Sequence, residues 1–144
     1  MTDTTTTEPK YRTITLTDAR PVRIREDHWP VLAQGAWRDH DGQVRVQANR
    51  AWDLVIKVRQ HSNGRALVYG FYEYDTHFQG EQNVVARVGV KLAAGADLPS
   101  WINAVAEMMR DRLRDYSDKD GFGYNHITEV AAECIADLPP EDLT

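Results

Sequence analysis

Asp53-Leu54-Val55-Ile56-Lys57-Val58-Arg59-Gln60-His61-Ser62, then Asn63-Gly64, then Arg65-Ala66-Leu67-Val68-Tyr69-Gly70-Phe71-Tyr72-Glu73-Tyr74 is the stretch whose reading decides the fold. Both halves alternate with period two, the signature of strands, and turn residues separate them. Asn-Gly is favoured in two-residue hairpin loops because both loop positions must accept positive φ. Such a loop sets Val58 opposite Tyr69 and Ile56 opposite Phe71. Leu54, Ile56, Val58, Leu67, Tyr69 and Phe71 then form one heavy apolar face. Lys57, Arg59, His61, Tyr72 and Tyr74 form the other, suited to water or a polar partner.

Further strands flank this hairpin. Tyr11–Leu16 and Pro21–Arg25 read as one pair, and Val31–Arg38 with Gln43–Gln47 as another around Asp41-Gly42. Val84, Ala86, Val88, Val90 and Leu92 alternate as one strand more. Helical spacing begins only after these. Asp97 is placed to cap a helix, with Pro99 in its first turn. Leu98, Trp101, Ile102, Val105, Met108, Met109 and Leu113 recur on its inner face. A second helix is expected from His126 or Ile127 to Leu138, with Ile127, Val130, Ala131, Cys134, Ile135 and Leu138 inward, stopped by Pro139-Pro140. Strands first and helices last define an α+β fold: an antiparallel sheet of about five to six strands, with two C-terminal helices packed on one face.

The chain of 144 residues suits one α+β domain over residues 10–144, after a polar, threonine-rich tail at 1–9 that is expected to be disordered. Cys134 is the single cysteine, so no intrachain disulfide can form. The first ten residues lack a signal-peptide pattern and no apolar run approaches the length of a bilayer span, so a reducing cytoplasm is the expected compartment. Charge is divided along the chain. Residues 10–91 carry 13 basic and 9 acidic side chains, whereas residues 92–144 carry 4 and 11. An acidic helical half of this kind is either a solvated surface or a field that orients a partner.

Asp118 to Glu129 resembles an EF-hand calcium loop, with acidic residues at Asp118 and Asp120, glycine at Gly123 and a closing Glu129. Phe122 stands where an oxygen ligand belongs, and a polar helix–helix connection gives the same pattern. Glu73, Asp75 and His77 alternate on one strand face, where surface polarity explains them as well as a metal does. No histidine has zinc-hydrolase spacing, no glycine run forms a phosphate cradle, and Cys134 points inward as a small apolar residue. No catalytic residue and no cofactor is indicated. Lys57, Arg59, Tyr72 and Tyr74 place cations beside aromatic rings, the mixture used by single-strand nucleic-acid binders. Trp29, Trp37 and Trp52 fall at strand edges or turns, where an indole can anchor a protein interface or simply pack the sheet.

Trp29-Pro30, Trp52-Asp53-Leu54, Val58-Arg59-Gln60-His61, Gly64 to Gly70 and Ala132 to Pro139 together resemble a group of small accessory proteins of proteobacterial plasmids and integrative elements. The resemblance implies a setting in transfer, maintenance or evasion of host defence, and transfers no site residue. The expectation drawn from it is a non-enzymatic protein binder, in its sharpest form an inhibitor of a host defence complex such as a CRISPR effector. Trp37, Trp52, Asp111, Asp115, Asp118 and Asp120 would then meet a host protein or nucleoprotein complex. The alternative is a nucleic-acid-binding factor that uses the Lys57–Arg59 face.

Overall fold

The computed structural model describes residues 8–38, 50–77, 80, 82–116 and 122–143. Six strands precede two helices: β1 (Tyr11–Ile14), β2 (Val22–Arg25), β3 (Val31–Arg38), β4 (Arg50–Gln60), β5 (Ala66–Thr76), β6 (Val84–Leu92), α1 (Leu98–Leu113) and α2 (Phe122–Asp137). A 3-10 turn, Arg114–Tyr116, follows α1. β3-β4-β5-β6 form an antiparallel meander, and β1-β2 a separate two-stranded ribbon. The fold is α+β. β3 pairs along its length with β4; the strand expected at Gln43–Gln47 lies outside the described residues.

The β4–β5 turn is one residue longer than the sequence suggests, and this changes the faces. The His61 amide donates to the Arg65 carbonyl at 2.9 Å, and the Gly64 amide to the His61 carbonyl at 2.9 Å. Only Gly64 has positive φ in the turn, at 90°. This is a type I turn closed by a left-handed glycine, the three-residue alternative to a two-residue loop. The Asn63 side chain reinforces it by accepting from the Arg65 amide at 3.0 Å. Val58 therefore pairs with Val68 and Ile56 with Gly70, not with Tyr69 and Phe71. A slip of one residue moves every β5 side chain to the opposite face. Tyr72 and Tyr74, expected beside Lys57 and Arg59, lie in the core at 2% and 0% exposure.

The helices cover the face that carries Leu54, Ile56, Val58, Val68, Tyr72 and Val88, and Ile102, Met109, Ile127 and Cys134 fill the layer between. Two glycines flanking Ile56 in one row of the ladder admit them. A Cβ on Gly35 would stand 2.1 Å from the Val130 carbonyl oxygen of α2, and one on Gly70 would stand 3.0 Å from Met109 of α1. α2 also closes the β3 edge. Asp137 and Glu133 accept the outward amides of Gln34 and Ala36 at 3.0 and 3.1 Å, so this edge offers little to another strand.

Three further expectations need correction. The second sheet face is not left open along its whole length, because β1–β2 packs Ile14, Leu16 and Ile24 onto Leu67, with Trp29 and Tyr69 alongside. α2 begins at Phe122, before His126, because Tyr124 packs on the core and the His126 ring stacks on Trp37 at 3.9 Å. Trp101, expected in the helix core, is 37% exposed and lines a shallow groove with Leu16, Pro21 and Val22. Among the described residues, no helix is long and apolar enough to cross a membrane.

Overpacking a well-filled layer costs about 1–3 kcal/mol. Gly35→Ala is expected to lower the thermal midpoint measurably, because backbone of α2 must retreat from the new methyl group. An unchanged melting curve would contradict the close approach of α2 to β3.

Candidate functional site, a basic cleft on the second sheet face

With the register corrected, the face away from the helices carries Asp53, Val55, Lys57 and Arg59 on β4, and Leu67, Tyr69, Phe71 and Glu73 on β5. The β1–β2 ribbon covers one end of this face. Between ribbon and sheet lies a cleft of about 390 Å³, whose floor and walls include Arg12, Arg38, Lys57, Tyr69, Phe71 and Arg87. Asp53 is the single acid among its lining residues.

Each cation is held differently. Arg59, only 5% exposed, is the buried pin of the ribbon. Its Nε donates to the Tyr69 hydroxyl oxygen at 2.8 Å and its Nη1 to the Trp29 carbonyl at 3.0 Å. Its Nη2 lies 3.8 Å from Glu26. A buried guanidinium is tolerable only with donors satisfied in this way. Glu26 in turn accepts from Arg12 Nε at 2.5 Å. That bond, ahead of the more distant field of Arg59, draws its carboxyl below the usual range. Arg38 Nε donates to Asp53 at 2.7 Å. Arg87 lies over the Phe71 ring, 4.9 Å from its centroid, a cation–π contact.

Lys57 differs from all of these. Among the described residues no carboxylate or other acceptor bonds its ammonium, although the side chain is half-buried. Burial, and then the fields of Arg59, Arg12 and Arg38, push its pKa below the usual lysine value. Each of these causes disfavours the charged ammonium, and the smaller field of Asp53 opposes them. Although Arg12 and Arg38 each bond a carboxylate, the cleft lining holds four cations, Arg12, Arg38, Lys57 and Arg87, against the one acid Asp53, a net positive charge that suits an anion.

The remaining residues singled out from sequence lie elsewhere. Trp37 and Trp52 are on the helix-covered face, stacked at 5.2 Å, with Trp37 also against His126. They are partly buried against the core. Asp111 and Asp115 are exposed on the helical side, Asp111 paired with Arg114 at 2.5 Å. Asp118 and Asp120 lie outside the described residues. Glu129 is on α2, 3.0 Å from His126. From Phe122 onward the EF-hand-like segment is helix, so its later positions cannot wrap around a calcium ion as that loop requires. Cys134 is fully buried. Loss of solvent pushes its thiol up to about 12, which leaves it without thiolate for nucleophilic work.

Arg12, Arg38, Tyr69, Phe71 and Arg87 line the cleft and were not singled out for it from the sequence. Arg87 was legible, since alternation in Val84–Leu92 sends it away from the helices. Tyr69 and Phe71 were assigned to the wrong face by the loop length. Arg12 and Arg38 come from strands whose placement over or beside β4 leaves no mark in sequence.

No family model, curated protein or solved structure matches the chain.

Arg59→Leu removes the bonds to Tyr69 and Trp29 while preserving apolar bulk. Amide exchange in Tyr11–Ile14 and Val22–Arg25 is expected to quicken well before that in β4 and β5. Glu26 adds a pH dependence of definite sign. Its folded pKa is depressed, so its contribution is present above the ordinary 4.5 and is lost as pH falls through the lower folded value. Glu26→Gln should abolish the acid-induced part of ribbon exchange; an unaltered acid profile would count against the Arg12–Glu26–Arg59 linkage.

Proposed function

We propose that the protein is a non-catalytic binding module for single-stranded nucleic acid. The phosphate backbone enters the cleft between the β1–β2 ribbon and the sheet. The observation that carries this reading is the half-buried Lys57 ammonium, without a partner among the described residues and surrounded by Arg12, Arg38 and Arg59. Phosphates supply the missing negative charge. Phe71, Tyr69 and the planar guanidinium of Arg87 supply surfaces on which a base can stack. A single strand fits such a cleft better than a duplex, whose bases are already stacked and turned inward.

A second reading follows from the other side of the molecule. The acidic helical layer lies across the sheet from the basic cleft, so the charge division along the chain becomes a division between faces. An inhibitor of a nucleoprotein defence complex, carried by a mobile genetic element, would set such a layer against a basic groove that normally holds nucleic acid. The layer is less available than its composition suggests. Glu133 and Asp137 bond the β3 edge, and Glu107 and Asp111 pair with Arg110 and Arg114. The cleft is the stronger candidate for that reason.

Fluorescence anisotropy with a labelled single-stranded oligonucleotide separates the two. For the cleft, affinity falls with salt at a log–log slope of roughly −2, the value for about three neutralised phosphates on a single strand. Lys57→Glu and Arg87→Glu each weaken binding and flatten that slope, while Asp111→Lys with Asp115→Lys does not weaken it. Absence of binding at low salt would remove the proposal. Nuclease-resistant capture of a defined host complex, lost on reversing Asp111 and Asp115, would put the second reading in its place.

A further inference from the structure

The Lys57 amine carries chemistry that binding a phosphate does not use. The sequence holds four lysines; of these, Lys10 and Lys91 are exposed. Lys57 is half-buried at the base of the cleft. The charged groups brought near it are Arg12 from the ribbon, Arg38 from β3, Asp53 and Arg59 from its own strand, and Arg87 from β6. Asp53 is engaged by Arg38, and no acceptor among the described residues bonds the lysine. Burial and neighbouring cations both favour the free amine over the ammonium. A lysine next to other cationic groups, or desolvated, is the activated form used for imine chemistry.

The same guanidiniums attract the reagent. Arg12 and Arg38 each spend their Nε–H on a carboxylate. A guanidinium has five N–H donors in all, so the Nη groups of both remain able to hold an anion. The cleft of about 390 Å³ falls within the range of small-molecule sites, roughly 300–1,000 Å³. It has room for a compound that presents a carbonyl to Lys57 and an anionic group to the arginines.

We propose that Lys57 is a nucleophilic amine that condenses with small anionic carbonyl compounds held in the cleft by Arg12 and Arg38. Its Nζ lone pair attacks the carbonyl carbon, and the C=O π electrons move to oxygen, which takes up a proton. Nitrogen loses its added proton to give a neutral carbinolamine. Departure of the hydroxyl group as water, with loss of the last N–H proton, leaves the imine. One water is released and no atom changes its overall electron count, so neither oxidant nor reductant is required. This inference goes beyond nucleic-acid binding and does not depend on it.

The probe is pyridoxal 5′-phosphate, an aldehyde bearing a phosphate, added to the full chain. The imine is trapped by borohydride, which supplies the hydride that reduces C=N, and the labelled lysines are mapped by mass spectrometry. Lys57 is expected to label several-fold faster than Lys10 and Lys91. Inorganic phosphate should slow it, and pyridoxal without phosphate should react more slowly at the same position. Arg12→Gln and Arg38→Gln, checked for folding by circular dichroism, should slow labelling at Lys57 and leave Lys10 and Lys91 unchanged. Equal labelling of the three lysines, or a Lys57 that stays unmodified in the folded chain, would overturn the proposal. Binding of an oligonucleotide without preferential labelling would leave the proposed function standing and reject the imine chemistry alone.

Discussion

The turn at Ser62-Asn63-Gly64 sets the parity of the whole sheet. Side chains on a strand alternate with period two, so an added turn residue exchanges the faces of β5 relative to β4. With the three-residue turn, Tyr72 and Tyr74 join Leu54, Ile56 and Val58 beneath the helices, and Tyr69 and Phe71 join Lys57 on the other side. The helical layer and the cleft both inherit this choice. A two-residue turn would bury Tyr69 and Phe71 and leave the tyrosines at 72 and 74 beside the lysine.

Packing of the helices reinforces that parity. Gly35, Ile56, Gly70 and Val88 occupy one row across β3 to β6. The bare glycines receive α2 and α1, and Ile56 rises between them. The side chains at Gly35 and Gly70 are missing where helix backbone and Met109 come closest. Because interiors are close-packed, this alternation of bulk and gap favours one seating of the two helices. The Glu133 and Asp137 carboxylates then lie within reach of the β3 edge, where they close the ladder.

On the opposite face one buried guanidinium serves structure and a less buried amine lines the cleft. Arg59 and Lys57 are two residues apart on β4 and point the same way. Arg59 reaches Tyr69, the Trp29 carbonyl and Glu26, and so fastens the ribbon. Lys57 stands just beyond the ribbon, where no acceptor among the described residues reaches it. The ribbon therefore defines one wall of the cleft, and its Arg12 brings a further cation to the site. Adding positive charge around an unpaired lysine has an electrostatic cost, which an anion offsets when bound.

Local pattern was enough to determine the α+β class, the antiparallel central hairpin, the strand at Val84–Leu92 and the first helix with Asp97 before it. Apolar periodicity and turn residues act between near neighbours in the chain, so they are written in sequence. Lys57 was legible as a cation on a sheet face for the same reason. Its companions were not. Which face Tyr69 and Phe71 take depends on a single turn residue, and Asn-Gly also occurs in a three-residue turn when only glycine adopts positive φ. That β1–β2 folds over Leu67, that Arg38 arrives beside Asp53, and that α2 sets His126 against Trp37 are decided by contacts between distant segments. The tertiary structure alone assembles the cleft, because its cations come from β1, β3, β4 and β6 and share no spacing along the chain.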